Sequence, residues 1–355
     1  MTNLDTAPAA TPEAAPPVPS GDGGVAGEAV PAGMSTKRKR QLGALAIALV
    51  ILALLFAWYL MNRKPLSELP GLSEAKVPHY EYSIYGTSNP IGVAVSPTGD
   101  RIYVTEENAP YVVHVYDKSG KQVGTLAPPA STGPSHIPDY VAINPTNQNV
   151  YVSDHSTQAI YIYNAQGKYL RTFAPKGNVG KWLPLGLALG PDGSLYATDI
   201  QGTGVAHRVG VFSPDGTLER SMGAPGLSFP NGIALDQHGN IDVADSNNGR
   251  LLIFSPAGKI IGRVGHGVGA GDLGLPRGVA VDGAGRIYVV DSSDHMVRIY
   301  NDSSSTVATP TFIASFGTEG QTDGTFEYPN GVATDTRAHI YVTDQGNNRV
   351  QVWGY

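Results

Sequence analysis

Residues 229–265, FPNGIALDQHGNIDVADSNNGRLLIFSPAGKIIGRVG, recur in variant form to the end of the chain, and their reading decides the fold. Apolar residues alternate with polar or small ones over 232–236, 241–245 and 250–254, and 259–265 closes the unit, which predicts four short strands. The segments 237–240 and 255–258 each contain a glycine, the residue that supplies the positive φ of a hairpin turn. One unit is therefore a four-stranded antiparallel meander.

Each unit opens on a proline: Pro90, Pro138, Pro184, Pro230, Pro276 and Pro329, spaced 48, 46, 46, 46 and 53 residues apart. A lone meander exposes two wet faces and must stack on neighbours, so six copies predict an all-β, six-bladed β-propeller. The sixth copy lacks a fourth strand. A matching segment, 81–86, precedes the first copy, and its pairing with the last blade would close the ring and remove an open edge.

The 44 glycines among 355 residues suit some two dozen strands joined by turns. Zero cysteines exclude disulfides, thiol nucleophiles and thiolate metal sites. Residues 1–36 are rich in Ala, Pro and Gly, without apolar period, and predict a disordered tail. Lys37, Arg38, Lys39 and Arg40 then precede residues 42–61, LGALAIALVILALLFAWYLM, a run without charge from Leu42 to Met61. A helix of that length covers about 30 Å, the thickness of a bilayer core, so 37–64 is expected to be a single transmembrane anchor and 65–80 a proline-containing linker to the propeller at 81–355. Four basic residues before the run against Arg63 and Lys64 after it predict a cytoplasmic N-terminus and an extracytoplasmic propeller, on the periplasmic or cell-wall side. The net charge is −6, and with six basic and four acidic side chains in the first 64 residues the remainder carries −8. Such a balance disfavours nucleic acid as a partner.

In an up-and-down meander, the second-to-third loop and the inter-blade loop share one face. The other face carries only tight hairpins, expected to be too short to make a pocket, except for a polar insert at 302–311. Binding is therefore expected on the loop face, at the mouth of the central channel. The residue after each opening proline lies there: Ile91, Asp139, Leu185, Asn231, Arg277 and Asn330. This ring has no repeated charge, which fits a specific ligand patch and an unselected surface alike. A second ring is repetitive: Glu106, Asp154, Asp199, Asp245, Asp291 and Asp344 end the second strands. Catalysis needs different residues in different roles, so this symmetry points to structural acids that cap loops, beside Arg208, Arg250 and Arg349.

The pattern at Asn330-Gly331-Val332-Ala333, Tyr341-Val342-Thr343-Asp344 and Asn347-Asn348-Arg349-Val350-Gln351-Val352 resembles the NHL repeat over 81–355, with departures at Tyr140, which replaces a glycine, and Glu106. An anchor followed by such a propeller also resembles the extracytoplasmic sensor half of bacterial receptor Ser/Thr kinases, although no kinase motif precedes residue 42. The resemblance implies a fold and a binding scaffold rather than one chemistry, so a protein-, peptide- or envelope-ligand-binding scaffold or sensor is expected, with no catalytic residue or cofactor assigned. Peptide-amidating lyases, which resemble the same propellers, imply an alternative in which zinc is held by His207 and His295; Asp291 and His295 match their Asp-x-x-x-His spacing. No third ligand is evident, since His155, His114 and His136 stand in other positions.

Overall fold

The computed structural model describes residues 36–62 and 77–355, except 131–134, 202–205, 224–225 and 302–309. The expected tail, most of the linker and most of the polar insert lie outside the described residues. The chain divides into two units, 1–73 and 74–355.

In the first unit the apolar run lies in one helix, Thr36–Asn62. Its large apolar side chains between Leu45 and Phe56 are exposed. Among the described residues no helix is long and apolar enough to cross a membrane. The expected helix is present.

In the second unit the described strands form six four-stranded antiparallel sheets, each following chain order except the last. That one is completed by His79–Ile84, which pairs with Arg349–Gly354 so that Ile84 faces Val350 and His79 faces Gly354. The expected closure is present, two residues earlier than the alternation suggested. The inner strands begin on the six prolines: Pro90–Val95, Pro138–Ile143, Pro184–Leu189, Pro230–Leu235, Pro276–Val281 and Pro329–Thr334. Proline suits the first residue of a strand, where no ladder donor is lost.

Both faces of a blade are buried against its neighbours. Val209, Val211 and Met222 of the third blade pack with Ile233, Val243, Leu252 and Phe254 of the fourth. At the closure, Ile84, Val350 and Val352 pack on Val93, Ile102, Val104 and Tyr116 of the first blade. The chain ends thus contribute apolar surface as well as ladder bonds, at roughly 25 cal/mol per Å² removed from water.

Nearer the axis the blades approach backbone to backbone. A Cβ added at Gly331 would lie 2.6 Å from the Ile91 carbonyl oxygen, and one at Gly186 2.0 Å from that of Asn231, so the repeated glycine is required for close approach. Hydroxyls stitch the same seam. Thr343 Oγ1 accepts from the Gly331 amide at 2.6 Å and donates across the closure to the Ile91 carbonyl at 2.8 Å. Thr105, Ser153 and Thr198 repeat this, donating to the carbonyls of Asp139, Leu185 and Asn231.

Candidate functional site

A bulge at the start of every blade shapes the channel mouth. Pro230 pairs with Asp245, but the next paired residue is Ile233, opposite Val243. The same shift recurs in the other five inner strands. An extra residue in one strand re-aims side chains, which here frees the two positions after each proline from regular alternation.

Tyr140 occupies the second of these positions in the second blade, where the other five carry glycine. Its buried hydroxyl donates to Asn330 Oδ1 at 3.0 Å and lies 3.5 Å from Asn231 Oδ1, which links the second, fourth and sixth blades. The two amides are held by their other ends: Asn231 Nδ2 donates to Ser246 Oγ at 2.8 Å, and Asn330 Nδ2 to Gln345 Oε1 at 3.2 Å. Burial raises the Tyr140 pKa, opposed by the charge of Arg277, so the phenol stays protonated as a donor. Beneath it is a channel cavity of about 50 Å³, lined by Tyr140, Gly232, Gly278 and Gly331 among others. Leu185 and Ile200 pack with Tyr140, flanked by the half-buried Ile91, Leu183 and Phe229. The mouth is therefore a floor with one apolar side.

Two ionisable groups belong to this mouth. Arg277 is half-buried, and its guanidinium makes no hydrogen bond or ion pair among the described residues. The Asp139 carboxyl is pushed up to about 8 by burial and then by the neighbouring Asp154 and Glu107 carboxylates. Its Oδ2 is buried without a hydrogen-bond partner among the described residues, the His155 ring nitrogen being 3.8 Å away.

The repeated acids are buried. Asp245 Oδ1 accepts from the Ser228 amide at 2.7 Å and Oδ2 from Arg250 Nε at 2.6 Å. Asp199 pairs with Arg208, Asp344 with Arg349, and Asp291 with Arg298 from mid-strand. The amides they cap belong mainly to the preceding inter-blade loop rather than to their own loop, because the Pro-to-acid pairing brings that loop alongside. The first two blades lack the arginine and use histidine: His114 Nε2 lies 3.3 Å from Glu106, and His136 Nδ1 lies 2.8 Å from Asp154. The hydrogen bond that His114 donates to Glu106 holds the imidazole above its ordinary value.

His207 and His295 act as latches between blades. His207 Nδ1 accepts from the amide of Phe229 at 2.7 Å, and His295 Nδ1 from that of Tyr328 at 3.2 Å. Asn348 serves the same slot at the ring closure, its Oδ1 accepting from the Asn89 amide at 2.7 Å. Phe229, Tyr328 and Asn89 all have positive φ (54°, 48° and 53°), so each latch fixes a backbone turn that non-glycine residues rarely adopt. A ring whose Nδ1 accepts an N–H carries its proton on Nε2 and has no free lone pair for a metal. Zinc does not fit these two histidines as placed, and among the described residues no group of three or more His, Asp or Glu can hold an ion.

Sequence reasoning placed Asn231, Arg277, Asn330 and Asp139 on one face, and the structure joins the two asparagines through Tyr140. The tyrosine was legible only as a departure from the repeat. The hydroxyl seam had a plain signal, a Thr or Ser immediately before four of the six repeated acids. The expectation that the hairpin face has no pocket is corrected: a cavity of about 230 Å³ lies there between the second and third blades, lined by Asn144, Asn147, Tyr151, Arg171 and Asp192 among others. Adjacent hairpins enclose it jointly, which the length of one turn does not reveal.

Comparison with known proteins follows the same division. The NHL repeat matches residues 227–254, 273–300 and 326–353, within the fourth, fifth and sixth blades. Protein brain tumor of Drosophila melanogaster is 27% identical over 131 residues, 36% of this chain and 12% of that protein, so the chain spans about an eighth of its length. Similar solved structures include a streptogramin B lyase (TM-score 0.56, 15% identity, 79% of this chain and 99% of that one) and the virginiamycin B lyase from Staphylococcus aureus (0.54, 14%, 79% and 99%). A chain of a nidogen/laminin complex also matches (0.50, 20%, 64% and 83%). At these identities the likeness concerns fold alone, and the fold hosts both a lyase and a member of a protein complex. This chain carries NHL repeats, folded as a six-bladed β-propeller of four-stranded antiparallel blades.

Proposed function

We propose that the chain is a membrane-anchored scaffold or sensor whose extracytoplasmic propeller binds a protein or peptide, or an envelope polymer, on the face around Asn231, Arg277, Asn330 and Asp139. The observation that carries the reading is the Tyr140 closure. It turns the mouth into a solid floor with an apolar side and a guanidinium that is unpaired among the described residues, a composition suited to recognition at the surface. The anchor rests on sequence: twenty uncharged residues from Leu42 to Met61 within a 27-residue helix, with the basic cluster on the N-terminal side.

A photo-crosslinking residue placed at exposed Tyr328 on the loop face, and another at exposed Ala257 on the hairpin face, test the docking face in cells. The expected result is a discrete adduct from position 328 and none from 257; the reverse pattern overturns the assignment. A reporter fused after Tyr355 tests topology separately, and activity only in the cytoplasm overturns the orientation.

A further inference from the structure

We propose that Arg277 anchors a single carboxylate of a polypeptide ligand whose adjacent apolar side chain rests on the opposite, apolar side of the mouth. The inference deepens the docking reading above and rests on it. Four other arginines of the loop face, Arg208, Arg250, Arg298 and Arg349, each clamp a buried acid of their own blade. Arg277 is half-buried yet has no such partner among the described residues.

Its neighbours are already committed. Asn231 and Asn330 flank it in the ring: Asn330 accepts from Tyr140, Asn231 Oδ1 lies 3.5 Å from the same hydroxyl, and each amide donates one hydrogen, to Ser246 and Gln345. This leaves the guanidinium as the charged donor at that side of the floor. Across the ring, Ile91, Leu183 and Phe229 surround Leu185 and Ile200 with half-buried apolar surface.

Asp139 completes the selectivity. Among the described residues the groups that face it are Asp154, Glu107, His155 and the Tyr140 phenol, and burial, with the neighbouring carboxylates, pushes its carboxyl up to about 8, which favours the protonated form at neutral pH. It neither competes for Arg277 nor repels an incoming carboxylate until the pH passes that value. The −8 balance of residues 65–355 opposes polyacidic tracts, so one carboxylate beside one apolar group is the fit. Such a group comes either from a chain terminus ending in an apolar residue or from an internal acidic side chain beside one.

The test uses the full-length chain in detergent and three fluorescent pentapeptides: one ending in leucine with a free carboxylate, its C-terminal amide, and an amidated peptide with internal glutamate beside leucine. Fluorescence polarisation is expected to favour a carboxylate-bearing peptide over the neutral amide by about tenfold or more, as a charged hydrogen bond implies. Which acidic peptide binds distinguishes the two sources. R277Q abolishes the preference and R277K keeps part of it. The preference falls above about pH 8 in the natural chain and is flat with Asp139→Asn. Equal binding of all three peptides, no binding by any, or a preference that survives R277Q overturns the proposal. A position-328 adduct that persists in R277Q sinks the carboxylate anchor while leaving the docking face intact; loss of every adduct in the natural chain sinks both.

Discussion

The phenol of Tyr140 on the second blade donates to the side-chain oxygen of Asn330 on the sixth, 3.0 Å away across the channel. Blades that touch only their neighbours are here tied across the axis. Tyr140→Phe leaves the buried Asn330 oxygen without that donor and is expected to cost about 1–3 kcal/mol. Tyr140→Gly restores the residue of the other blades but empties the floor, at about 3–5 kcal/mol. Urea denaturation ranks the two, and a glycine variant as stable as the phenylalanine variant shows that the ring packs nothing of consequence.

The latch at His295 predicts that shape matters more than imidazole chemistry. Asn348 holds the equivalent position at the closure, and both residues have positive φ (54° and 55°). His295→Asn, whose side chain tolerates that conformation and offers an oxygen, is expected to remain within about 0.5 kcal/mol of the natural chain. His295→Ala loses the acceptor and strains the backbone, for about 1–3 kcal/mol. Equal losses in both variants, read by denaturant midpoints, would count against the latch.

Thr343 joins the sixth blade to the first through the Gly331 amide and the Ile91 carbonyl. Thr343→Val keeps the shape and strands both groups, a loss of about 1–3 kcal/mol. In the fifth blade Val290 occupies the matching position before Asp291. Val290→Thr is expected to add the missing stitch and to raise stability by about 0.5–1 kcal/mol. Thermal scans that show no change in either variant dismiss the seam.

Asp139 predicts a pH dependence with a definite sign. Its folded value near 8 lies above the ordinary 3.8, so folding favours the protonated form. The associated stability is full below about pH 4, falls as the pH rises, and is lost once it passes about 8. Asp139→Asn carries no such titration and is expected to match the natural chain near pH 4 and exceed it at pH 8. Melting temperatures that run parallel across this range refute the assignment.

The propeller was legible because its determinants are local and repeated. Alternation, glycine turns and the six prolines each act within a few residues, and the unpaired strand at 81–86 had one edge left to fill. The repeated acids could also be read as structural from symmetry alone. Arg208, Arg250 and Arg349 stood close enough in sequence to be recognised as their partners. In the first two blades, His114 and His136 were not recognised as substitutes, since a mid-strand and an inter-blade residue become neighbours of Glu106 and Asp154 only through strand pairing.

The sequence by itself determined the number of blades, the closure of the ring and the face that carries the irregular loops, because each follows from periodicity along one chain. Only the tertiary structure decided what lies at the mouth. Tyr140, Asn231 and Asn330 are separated by 91 and 190 positions, and no local pattern encodes a meeting at the axis. The same holds for Arg277, whose lack of a partner among the described residues no local pattern announces, and for His207 and His295, which residue type suggested as metal ligands and packing made hydrogen-bond acceptors.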